Sequence, residues 1–273
     1  MMTTRRSITS LIRDTLAAVR CLPLAVVLAV TVALVGTSCS RKADGRRVRV
    51  AAASDLARAF TELGAEFERR TGIHAELHFG SSGQLSKQIE QGAPFHLFAS
   101  ANKEFVDNVI EAGRCARASA RMYARGRIVV WTANGKPAPS KLEDLAKPEY
   151  KRIAIANPEH APYGVAARQA LEKAGVWPQI ADRIVLAENV QATMLYAKNG
   201  DADAAIVALS LAVVTDGGAF LRIDPALHDA LDQQLVVCGS GAEADAARQL
   251  ATFIDSREGR EVMTRYGFIL PTP

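Results

Sequence analysis

The passage from a strand-like to a helix-like pattern lies in the stretch RVRVAAASDLARAFTELGAEF, residues 47–67. Residues 47–53 favour a strand and run directly into Ser54. Apolar side chains then recur at the spacing of one helix face, at Leu56, Phe60, Leu63 and Phe67. A strand that is followed at once by a helix is the repeating unit of α/β proteins, so this stretch predicts that fold class.

The same alternation continues through the body of the chain. Further strands are predicted at residues 73–79, 95–100, 127–132, 152–156, 184–187, 204–209 and 235–238. A closing helix is predicted at residues 242–255. Because no repeat, linker or change of composition divides this body, local patterns alone do not separate it into domains.

Composition and charge favour a binding protein over an enzyme or a nucleic-acid-binding protein. The net charge of +4 comes from residues 1–47, which hold eight Lys and Arg against two Asp, whereas the rest has 25 basic and 27 acidic residues. A nearly neutral body offers no electrostatic basis for binding nucleic acid. The chain also contains neither the nucleophile elbow of serine hydrolases nor a phosphate-binding loop, so any ATP hydrolysis belongs to partner subunits.

Residues 1–39 have the pattern of an export signal. Arginines at positions 5, 6, 13 and 20 precede an apolar run, residues 22–36, which is short for a transmembrane helix. The run ends at Gly-Thr-Ser-Cys, which resembles the lipobox of bacterial lipoproteins, where the cysteine is lipidated. We therefore expect a periplasmic or cell-surface protein that is anchored to the membrane through Cys39, with residues 40–46 as a tether. A cleaved signal without lipidation is the alternative.

Two cysteines, Cys115 and Cys238, lie outside this leader. Their spacing matches no zinc motif. Export to an oxidising compartment permits a disulfide between them, and two unpaired thiols fit the sequence equally well.

Four places in the body combine a strand end with the start of a helix, at Ser54, Ser82, Tyr163 and Val190. A helix N-terminus exposes unpaired N–H groups and a partial positive charge, so it receives anions readily. The hydroxyls of Ser54 and Ser82, with the backbone N–H groups of Tyr163 and Val190, would hold a dianion without any Lys or Arg. Helix capping explains the same residue types singly, through Ser54 or Asn189 as N-caps.

Several stretches resemble the periplasmic molybdate-binding proteins, which are the solute-binding proteins of ABC importers. These stretches are VAAAS (50–54), FGSSG (79–83), QGAP (91–94), LFAS (97–100), ANPEHAPYG (156–164), AENV (187–190) and RYGF (265–268). They follow one another in unbroken order between residues 47 and 270.

The resemblance implies a two-lobed α/β fold of the type II periplasmic-binding-protein kind, with the ligand cleft between the lobes. Lobe one would comprise residues 46–126 and 236–273, and lobe two residues 127–235. The resemblance also implies that the four helix-start residues contact molybdate or tungstate through its oxygens, without a further cofactor. The ligand would then pass to a permease and its ATPase subunit.

The chain departs from the family pattern near this predicted site. Ala208 stands where some members have a Tyr hydroxyl, and Tyr163 or Ser210 is a candidate replacement. Asp55 lies beside the first predicted donor, where its carboxylate would repel a dianion or accept a proton from a protonated oxyanion such as hydrogen phosphate. Alternatively, Asp55 favours the helix dipole and points to solvent. His96, where the family commonly has Asp, is expected to be structural.

The sequence does not exclude other ligands that proteins of the same fold bind. Sulfate or phosphate would suit the same donors, and sequence does not give the size of the cavity that separates sulfate from molybdate. Ferric-binding proteins typically present paired tyrosines, so Tyr163 and Tyr196 leave iron as a further alternative.

Overall fold

The computed structural model describes residues 46–272. The predicted export signal, Cys39 and the tether up to residue 45 lie outside these residues. Residues 45–273 form one compact unit. No helix within the described part of the chain is both long and apolar enough to cross a membrane.

The strands of the described residues form two five-stranded sheets. The first contains β1 (Arg47–Ala53), β2 (His74–Gly80), β3 (Leu97–Ser100), β4 (Arg121–Gly126) and β10 (Leu231–Val237), in the order β2-β1-β3-β10-β4. The second contains β5 (Ile128–Ala133), β6 (Ile153–Ala156), β7 (Ile184–Ala187), β8 (Ala204–Ala208) and β9 (Gly218–Arg222), in the order β7-β6-β8-β5-β9. In each sheet three neighbouring strands run parallel to one another. The fourth strand in the order, β10 or β5, is antiparallel to both of its neighbours.

Helices follow the strands of both sheets, which define lobe one and lobe two. Lobe one has α1 (Ala57–Thr71), α2 (Ser82–Glu90), α3 (Glu104–Glu111), α8 (Ala242–Asp255) and α9 (Arg257–Arg265). Lobe two has α4 (Pro162–Lys173), α5 (Trp177–Ile180), α6 (Val190–Lys198) and α7 (Leu209–Ala212).

Strand β1 is buried on both faces, as its position between two parallel strands requires. Val48, Val50 and Ala52 pack into the main hydrophobic cluster, whereas Ala51 points to a smaller cluster on the other face. Parallel strands bring their carboxyl ends to one edge of a sheet, which is where open α/β sheets bind ligands. The strand-to-helix turns after β1 and β2 therefore lie side by side.

Two crossovers join the lobes. Arg127 alone separates β4 from β5, and residues 223–230 lead from β9 back to β10. Strand β10 pairs with β3 and β4 of the first sheet along its length. The predicted boundary between residues 235 and 236 is therefore wrong, because it cuts this strand, and lobe one resumes at Leu231.

A disulfide joins Cys115 to Cys238. Cys115 lies beyond the end of α3, and Cys238 directly follows β10, where the two residues also form an antiparallel bridge. The disulfide therefore connects two distant parts of the chain within lobe one.

Candidate functional site

The four predicted donors line one small cavity between the lobes. Ser54 and Ser82 of lobe one and Tyr163 and Val190 of lobe two are among its lining residues, which include no Lys, Arg or His. The cavity volume is about 10 Å³. The cavity is thus small, and it is lined by hydrogen-bond donors from both lobes.

The two serines reach the cavity from the ends of neighbouring strands. Ser54 begins a short 3-10 turn directly after β1, and its side chain makes no hydrogen bond within residues 46–272. Ser82 is fully buried at the first position of α2, where its Oγ accepts a hydrogen bond of 2.9 Å from the N–H of Ala101. Because that bond uses the oxygen as an acceptor, the Ser82 hydroxyl hydrogen is left to donate.

Lobe two contributes backbone donors at two helix starts. Pro162 has no N–H, and the N–H groups of Gly164 and Val165 both donate to the carbonyl of Ala161, so the Tyr163 N–H is the uncommitted donor of this turn. In α6 the N-cap side chain of Asn189 accepts from residues 191 and 192, which leaves the first N–H, that of Val190, outside the cap. The N-cap interpretation therefore holds for Asn189. It is wrong for Ser54, because Ala53 occupies that position.

Asp55 is buried in the cavity wall, so the interpretation that it points to solvent is wrong. Its side chain is 1% exposed, and its Oδ2 accepts hydrogen bonds from Tyr163 Oη at 2.9 Å and from Gln233 Nε2 at 2.6 Å. Its Oδ1 is buried without a hydrogen-bond partner. Burial raises the pKa of Asp55 to about 6, and the hydrogen bonds from Gln233 and Tyr163 oppose this rise.

Both candidate replacements for the hydroxyl missing at Ala208 are used to hold Asp55. Tyr163 Oη donates to its carboxylate, and Ser210 Oγ donates to its backbone oxygen at 2.8 Å. The ring of Tyr163 passes close to Gly126, where an added Cβ would lie 2.1 Å from Tyr163 Oη. The absence of a side chain at Gly126 therefore allows Tyr163 to reach Asp55 from lobe two.

Gln233 and Tyr123 complete this cluster and were not predicted from the sequence. Tyr123 Oη donates to Gln233 Oε1 at 2.8 Å, which turns the Gln233 amide nitrogen toward Asp55. Burial raises the pKa of Tyr123 and of Tyr163 well above the usual value, so both stay neutral. No local pattern reveals these contacts, since Gln233 lies 178 residues from Asp55.

Direct contacts between the lobes hold the cavity closed. The N–H of Gly83 in lobe one donates to the carbonyl of His160 in lobe two at 2.9 Å, and Ser81 Oγ lies 2.8 Å from His160 Nδ1. The hydrogen bonds from Tyr163 and Ser210 to Asp55 also cross the cleft. His96 lies elsewhere, where its Nδ1 accepts from the N–H of Arg49 at 3.1 Å, as a structural residue would.

A larger cavity, of about 770 Å³, lies beside the crossovers and contains none of the four predicted donors. Arg127 and Arg222 line it together with apolar residues such as Ile128 and Leu231. We place the candidate site in the smaller cavity, because the four predicted donors converge there from both lobes.

Two α/β lobes that are joined by two crossovers and enclose a small cavity lined by donors from both lobes define a periplasmic binding protein. The family model of bacterial extracellular solute-binding proteins matches residues 48–269. The molybdate-binding protein ModA of Rhodobacter capsulatus is 32% identical over 225 residues, which cover 81% of this chain and 88% of that protein. ModA of Azotobacter vinelandii is 29% identical over 230 residues, which cover 83% and 91%.

The solved structure of the Azotobacter vinelandii periplasmic molybdate-binding protein superposes with a TM-score of 0.77 at 28% identity, covering 82% of this chain and all of that one. The chain therefore belongs to the bacterial extracellular solute-binding proteins, in the group that includes the periplasmic molybdate-binding proteins of ABC importers. The resemblance found in the sequence is confirmed. As a member of this family, the chain is a transport component and not an enzyme.

Proposed function

We propose that this protein captures molybdate or tungstate outside the cytoplasm and delivers it to the permease and ATPase of an ABC importer. The observation that carries the proposal is the convergence of Ser54, Ser82, Tyr163 and Val190, from both lobes, on one small cavity without a cation. The molybdate-binding relatives support the same ligand.

Each proposed contact uses a donor whose hydrogen is free. The hydroxyls of Ser54 and Ser82 and the N–H groups of Tyr163 and Val190 would each donate to an oxygen of the ligand. Molybdate is fully ionised at neutral pH and accepts hydrogen bonds without donating any, so these four donors match its chemistry. Donors from opposite lobes are satisfied together only in the closed state, which couples binding to closure.

Among the alternative ligands, sulfate and phosphate compete with molybdate more closely than ferric iron does. The hydroxyl of Tyr163 is committed to Asp55, and Tyr196 does not line the cavity, which disfavours a site with paired tyrosines. Sulfate and phosphate share the tetrahedral oxyanion geometry, so a direct comparison of ligands must separate them.

A lipid anchor at Cys39 would keep the protein beside its membrane partners. The basic residues and the apolar run 22–36 that precede Gly-Thr-Ser-Cys in the sequence support this part of the proposal. Labelling with a radioactive fatty acid in a bacterial host, compared with a Cys39→Ser variant, tests it.

Calorimetry with the chain from residue 40 onward tests the ligand. This chain retains the whole compact unit. We expect one-to-one binding of molybdate and tungstate at neutral pH, and no comparable binding of sulfate or phosphate. Binding of sulfate or phosphate in preference to molybdate would overturn the proposed ligand and keep the family.

A further inference from the structure

One carboxylate oxygen of Asp55, a residue that lines the cavity, has no hydrogen-bond partner. Asp55 lines the cavity beside Ser54 and Ser82, and its Oδ1 is buried without a hydrogen bond, whereas its Oδ2 accepts two. Buried polar atoms are nearly always paired, so an unpaired one at a binding site points to a group that a ligand supplies. The only hydrogen-bond partner that a carboxylate oxygen can take is a donor.

The surroundings of Asp55 supply no charge that could offset a bound dianion. Gln233 from β10, Tyr163 from α4 and Ser210 from α7 contact it, and Tyr123 from β4 reaches it through Gln233. Both tyrosines remain protonated and neutral. His160, which contacts the cavity-lining Ser81, is bonded to Ser81 and not to Asp55. An ionised Asp55 would therefore lie beside a dianion in a small cavity whose lining residues include no Lys, Arg or His, which is unfavourable.

We propose that the oxyanion binds together with one proton, which is held between Asp55 Oδ1 and an oxygen of the ligand. This inference rests on the proposed function and specifies the protonation state that its site accepts. A fully ionised oxyanion such as molybdate requires the proton on the carboxyl group, which takes it from solvent and then donates Oδ1–H to the ligand. A hydrogen oxyanion such as hydrogen phosphate brings the proton itself.

The direction of the pH dependence follows from the charge balance. Burial already raises the pKa of Asp55 to about 6 in the free protein, and a neighbouring dianion raises it further. At neutral pH the free carboxyl group is thus mostly ionised and the bound one protonated, so binding of molybdate takes up nearly one proton. Affinity should be level below about pH 6 and fall about tenfold with each pH unit above it.

Asp55→Asn gives a closely matched variant. Its amide oxygen can accept from Tyr163 and Gln233 in place of Oδ2, and its amide nitrogen presents a permanent donor where Oδ1 has no partner. The variant should bind molybdate independently of pH and without proton uptake. At about pH 7.5 it should bind at least tenfold more tightly than the parent, because it does not need to acquire a proton.

The experiment is titration calorimetry of parent and Asp55→Asn with molybdate, at several pH values between about 5.5 and 8.5 and in two buffers of different ionisation enthalpy. The difference in binding enthalpy between the two buffers gives the number of protons taken up for each ligand bound. Uptake of about one proton by the parent, abolished in the variant, is the expected result. The buffer comparison on the parent alone suffices if circular dichroism shows that the variant does not fold.

Different failures have different meanings. Tight molybdate binding by the parent with no proton uptake and no pH dependence would overturn the shared proton and leave the proposed function intact. Binding of phosphate but not molybdate, with loss of phosphate binding in Asp55→Asn, would overturn the proposed ligand and support the shared proton. If the parent bound none of molybdate, tungstate, sulfate and phosphate, both proposals would be wrong.

Discussion

Ser54 and Ser82 line the same cavity, but their hydroxyl groups differ in the hydrogen bonds that they make within the protein. Ser54 has no other partner within the described residues, whereas Ser82 also accepts the N–H of Ala101. We expect Ser54→Ala to weaken molybdate binding by about 1.5–3 kcal/mol, roughly 10- to 150-fold in Kd, without lowering the free energy of unfolding. Calorimetry and urea unfolding measure the two quantities on the same sample.

We expect Ser82→Ala to lower both quantities, because it also leaves the buried N–H of Ala101 unpaired at a cost of about 1–3 kcal/mol. Ser86→Ala is the matched control, since Ser86 is buried on the same helix and bonds to Glu90 and Phe105 outside the cavity. It should reduce stability and spare binding. If Ser54→Ala and Ser82→Ala both bound as tightly as the parent, the proposed site would be wrong.

The buried environment of Asp55 could not be predicted from the local sequence. An acidic residue in the first turn of a helix ordinarily faces solvent near the positive end of the dipole, and that interpretation is reasonable from Ser54 and Asp55 alone. The side chain is buried because Tyr163 and Gln233 approach it from 108 and 178 residues away. The helix starts at Ser54, Ser82 and Val190 were recognisable because at most two residues separate each from its strand, whereas residues 157–161 separate β6 from the helix that holds Tyr163.

The disulfide acts on the stability of lobe one. It links Cys115 and Cys238 across a sequence separation of 123, so its loss should free a long segment of the unfolded chain. We expect the double variant Cys115→Ser/Cys238→Ser to lose about 2–5 kcal/mol of unfolding free energy. Molybdate affinity should stay close to that of the parent at a temperature where both are folded, because neither cysteine lines the cavity.

Urea unfolding with and without a reducing agent checks this prediction. The chain from residue 40 contains no other cysteine, so the reducing agent should destabilise the parent and leave the double variant unchanged. Equal stability of parent and double variant would show that the disulfide contributes nothing to the fold.

Secondary-structure elements were predicted well where the neighbouring sequence determines them, and poorly where contacts with distant residues do. The predicted bounds of β1, β7 and α8 coincide with those observed, because apolar periodicity and flanking breakers mark these segments. Strands β4 and β9 were missed, as was the first half of β10, Leu231–Gln234. The polar residues of β10 explain the latter: Asp232 pairs with Arg125 on β4, and Gln233 is bonded to Tyr123 and Asp55. A single-sequence pattern does not contain those partners.

At the scale of the whole molecule, the closed state depends on backbone contact between the lobes as well as on the ligand. Gly83, the second residue of α2, approaches lobe two so closely that a Cβ there would lie 2.8 Å from the carbonyl oxygen of His160. Its N–H donates to the same carbonyl oxygen. A side chain at this position therefore opposes closure directly, and α2 itself gains helix propensity from alanine.

We expect Gly83→Ala to bind molybdate at least tenfold more weakly, because a contact this short must be relieved by separating the lobes at a cost of about 1–3 kcal/mol. Small-angle X-ray scattering should show a parent that becomes more compact with ligand and a variant that does so less. Gly64→Ala is the control, since a Cβ on this buried position of α1 would meet Leu77 Cδ1 at an ordinary 3.4 Å. Unchanged affinity and full compaction of Gly83→Ala would mean that closure does not depend on the contact between Gly83 and His160.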